Sequence, residues 1–241
     1  MPPSVAGCLL KREVFFEAVV GSKEVLGFNS LKAKQRIIRD SFPEPVGLRV
    51  HRAISWLGRA EKEQDDQDIR FILLWVAFNA AYAQDVSGGD HPAGREAFKV
   101  FFDLLVKLDA EKRIYNTVWG RFPNEIRVLL ENKFVFAPFW HHQNGLPGYE
   151  DWSLGLVASQ KAIAKAMAQQ DTARLLSIVF DRLYVLRNQI VHGGATWNSS
   201  VNRRQLTDGA AVLGTLLPVF IDIMMDNPTQ DWGKPFYPVV K

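Results

Sequence analysis

The sequence predicts an all-α fold, an antiparallel helical bundle with an N-terminal extension, on three observations. Apolar residues recur with helical spacing along most of the chain after residue 47. Residues suited to helix starts and stops separate these apolar segments. The connections between them are short or of medium length, as between antiparallel neighbours in a bundle.

The first 46 residues are the hardest to assign. The segment "EVFFEAVV" (13–20) suits a strand or a short helix, whereas "SLKAKQRIIRD" (30–40) is typical of a basic helix. In "FPEPVG" (42–47), two prolines and a glycine break that helix. The predicted parts of the chain are therefore an N-terminal arm (1–46), a helical domain (47–227) and a C-terminal tail (228–241), which we expect to be extended.

Three helices are predicted in the first half of the domain, at 48–63, 66–85 and 95–111. The second of them, "DQDIRFILLWVAFNAAYAQD", is apolar on all sides, so we expect it to be central and buried. Asp66 or Asp68 is suited to cap its start. A loop at 86–94 follows this helix.

The second half of the domain is also predicted to be helical, with shorter helices within 112–132 and longer ones at 153–170, 171–194 and 202–227. The aromatic segment 134–152 contains proline and glycine and has no period, so it is predicted to be an ordered loop. Asp171 suits the N-cap of the 171–194 helix, and Gly193 and Gly194 suit its end. Pro218 is expected to kink the last helix.

The charge of the chain neither indicates nor excludes a nucleic-acid partner. There are 29 Lys and Arg against 26 Asp and Glu, a net charge of +3. The basic residues are concentrated at the N-terminus, where residues 1–60 hold ten basic and five acidic side chains. A solvated helix face is the favoured interpretation of this concentration.

Several functional classes are disfavoured by the sequence. Cys8 is the only cysteine, so no intrachain disulfide can form, and we expect a cytoplasmic protein. No apolar run reaches the ~18–20 residues of a membrane helix, so no membrane association is expected. The motifs of P-loop enzymes, zincins and serine hydrolases are absent. His141 and His142 lack the further ligands of a metal site, so neither metal nor cofactor is expected.

The segment "LYVLRNQIVHGG" (183–194) places three polar residues at the end of an apolar helix. Asn188 and His192 are four residues apart and share a helix face, towards which the long Arg187 side chain can bend. A histidine at a helix C-terminus also interacts favourably with the helix dipole, and spacing alone favours this structural interpretation.

The same three side chains suit metal-free cleavage of RNA. Histidine can transfer protons near neutral pH, and arginine offers a fork of donors to phosphate. A base would activate the ribose 2′-OH, a cation would stabilise the phosphorane, and an acid would protonate the leaving oxygen. A single His192 cannot be base and acid at once, so two chains related by a two-fold axis would be needed.

The pattern "RNQIVH" at the end of a C-terminal apolar helix resembles the R-x4-H motif of the HEPN superfamily, in particular its Apea-like proteins. "RFILLWVAFNAAYA" (70–83) is similar to the early core helix of those domains, and the resemblance spans about residues 48–226. It implies a helical bundle that dimerises through the 175–192 helix and cleaves RNA. In that role His192 would be the general acid and base, Arg187 the phosphate binder, and Asn188 a supporting polar group.

Two further hypotheses remain open beside the ribonuclease. The domain could be a non-catalytic module that binds RNA, a nucleotide or a partner protein, with Arg203 and Arg204 as candidate RNA contacts. The chain could also be a toxin or antiphage component that a neighbouring antitoxin protein holds inactive. In each dimeric case we expect Leu183, Leu186 and Ile190 to bring a second copy of the motif helix opposite the first.

Overall fold

The computed structural model describes residues 26–83, 95–121, 123–235 and 237–239 of the chain. Within these ranges all regular elements are helical, which confirms the predicted all-α class. The predicted loop at 86–94, Cys8 and the segment 13–20 lie outside the described residues. The helices are α1 (Phe28–Ile38), α2 (Glu44–Glu61), α3 (Gln67–Tyr82), α4 (Arg95–Leu108), α5 (Arg113–Arg121), α6 (Pro123–Glu131), α7 (Ala137–Gln143), α8 (Trp152–Ala168), α9 (Thr172–Val191) and α10 (Arg203–Asp226).

Pro43 and Pro45, which were expected to break the basic helix before them, also lie at the start of α2. Pro43 is the N-cap of α2, and Pro45 lies in its first turn. A proline is tolerated there because the first N–H groups of a helix have no partner within the helix. The helix predicted at 48–63 therefore starts at Glu44, and the expected boundary at 46/47 falls inside α2.

Helix α1, which corresponds to the basic helix expected at 30–40, packs against the same core as the rest of the chain. Leu31 is fully buried in that core. Lys34 forms ion pairs with Asp222 (2.5 Å) and Asp226 (2.7 Å) of α10. Arg113 of α5 pairs with the same two carboxylates. These paired charges join α1 and α5 to the last turns of α10.

Helix α3 is central, as predicted, but it is buried on one side only. Phe78 lies among aromatic rings, with centroids 4.5 Å from Phe180 and 4.5 Å from Tyr82. Ile69 is exposed, and its neighbours on that face are only partly buried. The predicted N-cap is confirmed, because the Asp66 carboxylate accepts hydrogen bonds from two backbone N–H groups at 3.0 Å.

The aromatic segment 134–152 is more helical than its sequence predicted. It contains α7 and most of a 3₁₀ turn at Lys133–Val135. Asn132 caps that turn through a hydrogen bond from the Phe134 N–H, and Pro138 lies in the first turn of α7. Seven residues are too few to establish a helical period in the sequence, so the absence of a period misled the prediction.

Helix α10 passes through the middle of the core and contains Pro218. It has an 18-residue window of mean hydropathy 1.6, enough by length and composition for a membrane span, which corrects the expectation that no apolar run reaches that length. In the structure 78% of this window is buried inside the protein. A core helix of this kind explains the high hydropathy.

The C-terminal tail is held down by a buried arginine of α2. The Arg49 guanidinium donates to the carbonyl oxygens of Ala81 (3.1 Å), Gly233 (3.1 Å) and Lys234 (2.8 Å). Burial lowers the Arg49 pKa to about 10, against a smaller opposing effect of Asp231. Arg49 thus joins the end of α3 to the tail, which is irregular at residues 231–234.

Helix α9 begins at its predicted N-cap, Asp171, and ends at Val191, three residues before the predicted bound at 194. The Asp171 carboxylate accepts a hydrogen bond from the Arg174 N–H at 3.0 Å. Gly193 has φ of 69°, the left-handed conformation that ends many helices. The buried stripe of α9 consists of apolar residues in the core of the chain: Leu175, Leu176, Val179, Phe180, Leu183 and Leu186.

The two sides of α9 should respond differently to truncation. Leu186→Ala removes a fully buried side chain and should lower the free energy of unfolding by about 2–5 kcal/mol. Val191→Ala, on the exposed side of the same helix, should change it by no more than about 0.5 kcal/mol. Urea denaturation of both variants measures this. Equal losses would show that the buried stripe of α9 is wrongly assigned.

Candidate functional site

The last turns of α9 present a mixed polar and apolar face to the outside of the chain. It is formed by Tyr184, Arg187, Asn188, Val191 and His192, and we refer to it as the outward face of α9. Tyr184 is 41% exposed and Val191 is 49% exposed, while His192 is exposed and the remaining two are partly buried. All three predicted catalytic residues therefore lie on one accessible surface.

Arg187 and Asn188 are brought together by a hydrogen bond. Arg187 Nη1 donates to Asn188 Oδ1 at 2.9 Å. Arg187 Nε is buried and has no hydrogen-bond partner among the described residues. Asn188 therefore holds the guanidinium in place and uses only one of its five N–H donors. Donors remain for an anionic ligand.

His192 lies apart from this pair at the end of the helix. It is the C-cap of α9, and its backbone N–H donates to Asn188 O at 3.0 Å. Its imidazole makes no hydrogen bond within the described part of the chain. One chain thus presents an exposed imidazole and a partly buried guanidinium that no hydrogen bond connects.

The apolar residues that were expected to contact a second chain do not lie on this face. Leu183 and Leu186 are fully buried in the core of their own chain, and Ile190 packs against that core. Tyr184 and Val191 offer exposed apolar surface beside the motif. These three residues do form one stripe of the helix, as their spacing predicted, but that stripe packs against the core of the same chain.

The two predicted RNA-binding arginines differ in their surroundings. Arg203 Nη2 lies 2.7 Å from Asp68 Oδ2, and this carboxylate also accepts a hydrogen bond from the Asn198 N–H. Arg204 is 76% exposed, with its Nε 3.8 Å from Asp208. The Arg203 pair fixes the start of α10 against the start of α3, whereas Arg204 remains accessible.

The loop that follows the motif is fixed to the N-terminus of α3. Trp197 Nε1 donates to Asp66 Oδ2 at 2.7 Å. The pKa of Asp66 is lowered, first by the hydrogen bond from the Ile69 N–H and also by Trp197, although burial opposes the shift. Asp66 is thus both the helix cap and an anchor for the loop after His192.

A cleft adjoins the outward face of α9 on the Arg187 side. Its volume is about 620 Å³, and it lies between α2, α3, α9 and the C-terminal tail. The lining includes two kinds of functional group, aromatic rings and hydrogen-bonding side chains: Trp56, Trp75, Tyr82, Tyr184, Tyr237, Arg49, Arg52, Asn79 and Arg187. The sequence carries no local pattern for this cleft, because its lining residues Arg49 and Tyr237 are 188 positions apart along the chain.

Two arginines of α2 build the outer wall of the cleft. Arg49 holds the tail through Gly233 and Lys234, as described above. One turn further along α2, Arg52 Nη1 donates to the Tyr237 carbonyl at 2.6 Å. The tail is thus fixed across the cleft at two points.

An aromatic patch lies on the opposite side of α9. The Phe134 carbonyl accepts hydrogen bonds from Trp140 Nε1 (2.7 Å) and from Gln189 Nε2 (2.5 Å). The ring of Phe134 is exposed, and Lys133 Nζ lies 5.2 Å from its centre. Residues of the segment expected to be a loop therefore adjoin the helix that carries the motif.

No metal centre is evident in the described part of the chain. No group of three or more His, Cys, Asp or Glu side chains is placed to hold a metal ion there. His141 instead contacts the ring of Tyr149, at a centroid distance of 4.6 Å.

The fold and this face define an all-helical protein with an accessible Arg, Asn and His set beside a basic, aromatic cleft. Comparison of the chain with protein-family models, curated proteins and solved structures found no match. The resemblance to the HEPN superfamily therefore stays a prediction from the motif residues.

Tyr82, at the inner end of the cleft, should titrate at unusually high pH. Burial raises its pKa to about 12, and its ring stacks on Phe78. Unfolded tyrosine has a pKa of about 10, so between these values only the unfolded chain loses the proton. The contribution of Tyr82 to the free energy of unfolding is complete below pH of about 10 and is lost as the pH rises to about 12.

Phenolate absorbance measured during alkaline titration tests this expectation. The difference between the wild type and Tyr82→Phe should be one tyrosine that titrates near 12. If the missing phenol titrates near the ordinary value of about 10, the buried position of Tyr82 is wrong.

Proposed function

We propose that this protein is a metal-independent endoribonuclease of the HEPN type, whose site is formed by the outward faces of α9 from two chains. The observation that carries the proposal is the presentation of Arg187, Asn188 and His192 together on an accessible face. Their apolar neighbours Leu183 and Leu186 are fully buried in the core of the chain.

Each side chain has a defined role in the proposed reaction. One His192 imidazole accepts the proton of the ribose 2′-OH, which attacks the adjacent phosphorus. The second chain's His192 protonates the 5′-oxygen as its bond to phosphorus breaks, leaving a 2′,3′-cyclic phosphate. The Arg187 guanidinium stabilises the extra negative charge of the phosphorane, and Asn188 holds that guanidinium in position.

The dimer is required by this chemistry. The outward face has one imidazole, and a single imidazole cannot act as base and acid in the same step. Val191 provides exposed apolar surface beside the motif, which suits contact with an identical face across a two-fold axis. A cytoplasmic role as a toxin or antiphage component, restrained by an antitoxin protein, is part of the same proposal.

An RNA-binding module without cleavage activity is the second candidate. The observation that favours it is the basic, aromatic cleft beside Arg187, which could hold RNA whether or not His192 acts on it. In this case RNA affinity would fall with salt concentration, since phosphate contacts release counterions. Cleavage would be absent.

Cleavage of single-stranded RNA by the purified protein in EDTA tests the first candidate. His192→Ala should reduce the rate by about 10²–10⁴-fold, because it removes the general acid and base. Arg187→Ala should reduce the rate by a similar factor, because the guanidinium no longer stabilises the negative charge of the phosphorane. A cyclic phosphate should be found on the 3′ end of the upstream product.

Matched controls are available within the chain. His51 is an exposed histidine of α2, and Arg174 is an exposed arginine in the first turn of α9. His51→Ala and Arg174→Ala should leave the rate unchanged. Full activity of His192→Ala would rule out the assigned roles, and RNA binding with no cleavage by the wild type would favour the binding module.

A further inference from the structure

We propose that the cleft beside α9 receives one unpaired nucleotide of the RNA, next to the phosphate held at Arg187. This inference rests on the proposed function and adds the substrate class, single-stranded RNA. The base would stack on Trp56 and Tyr184, its edge would meet Asn79, and its phosphate would meet Arg52 and Arg187.

The position of the cleft links it to the proposed chemistry. Arg187 belongs both to the outward face of α9 and to the lining of the cleft. Its guanidinium is fixed by Asn188 on the motif side. A nucleotide in the cleft would therefore lie directly beside the phosphate under attack. The volume of about 620 Å³ is within the range of small-ligand sites.

The aromatic side chains of the cleft are placed to stack on a base. Trp56 lies on α2, is 41% exposed, and makes no ring contact with other described aromatic residues. Tyr184 is tilted against Trp75 at 6.1 Å between centroids and keeps part of its surface exposed. Stacking of this kind contributes roughly 5- to 150-fold to affinity for single strands.

The polar side chains of the cleft supply the other contacts of a nucleotide. The Asn79 side-chain amide is partly buried and makes no hydrogen bond to the described residues, so its donor and acceptor are both available to a base edge. Arg52 and Arg187 bring two positive charges to the rim, and no lining residue among those described is acidic. This charge is complementary to phosphate.

Single-stranded RNA fits these features and a duplex does not. A base in a duplex is already stacked and paired, so it cannot enter the cleft to meet Trp56 and Asn79. The sequence preference of cleavage should then depend on the nucleotide that the cleft accepts. A free nucleoside monophosphate shares the same chemistry and must be distinguished by experiment.

Binding measured in the His192→Ala background, where cleavage does not interfere, tests the proposal. A short fluorescein-labelled single-stranded RNA and a duplex of the same sequence are titrated by fluorescence anisotropy. Trp56→Ala should weaken binding of the single strand by about tenfold and leave duplex binding unchanged. Leu154→Ala, an exposed apolar residue of α8 outside the cleft, is the control and should change neither.

Asn79→Asp keeps the shape of the side chain and replaces its donor with an acceptor. In the active protein it should change which nucleotide is preferred next to the cut, with little change in melting temperature. Unlabelled AMP, GMP, CMP and UMP are added as competitors. Trp56-dependent binding of one of these nucleotides that does not displace the labelled RNA would identify a free-nucleotide site and overturn the placement of RNA.

The failures of the two proposals can be told apart. If Trp56→Ala and Asn79→Asp alter neither RNA binding nor cleavage preference, while His192→Ala still abolishes cleavage, the nucleotide cleft is wrong and the ribonuclease stands. If the wild type does not cleave RNA but binds it in a Trp56-dependent manner, the ribonuclease is wrong and the cleft stands.

Discussion

The orientation of α9 about its own axis determines which of its side chains face the core and which face outward. Leu183 and Leu186 fix it, because both are fully buried against α10. Gly209 permits this close packing, since an added Cβ there would lie 3.0 Å from Leu183 and from Phe71. With this stripe turned inward, Arg187 and His192 must project outward.

A second constraint shapes the surroundings of this face. Arg49 is buried and donates to three backbone carbonyls, one at the end of α3 and two in the C-terminal tail. Loss of its partners would leave a buried charge, which is costly, so the tail and Arg49 depend on each other. The fixed tail and Arg52 complete the cleft beside Arg187. The proposed site therefore combines residues of α9 with a cleft that the C-terminal tail lines on one side.

Local sequence signals predicted most of the helices, but they could not predict contacts between residues that are far apart in the chain. Asp171 and the alternatives Asp66 or Asp68 were predicted as caps because a cap acts within three residues of itself, and the structure shows Asp66 and Asp171 in that role. Arg49 and Lys234, which are joined by a hydrogen bond, lie 185 residues apart, so no local sequence pattern indicates this contact. For the candidate site, the motif residues were singled out by their spacing, their chemistry and the HEPN resemblance. The Asp68 partner of Arg203 and the cleft beside Arg187 required the tertiary structure. Burial of Leu183 could be expected from its spacing, but not the partner that would bury it.

Disulfide trapping tests whether the outward faces of α9 from two chains meet, as the proposed ribonuclease site requires. Cys8 is the only cysteine, so Cys8→Ser provides a background without cysteine, into which Val191→Cys is introduced. Under mild oxidation this account predicts a covalent dimer that keeps ribonuclease activity. The matched variant Leu154→Cys on α8 should remain uncrosslinked. A chain that stays monomeric at position 191, or crosslinks at 154 instead, would contradict the account.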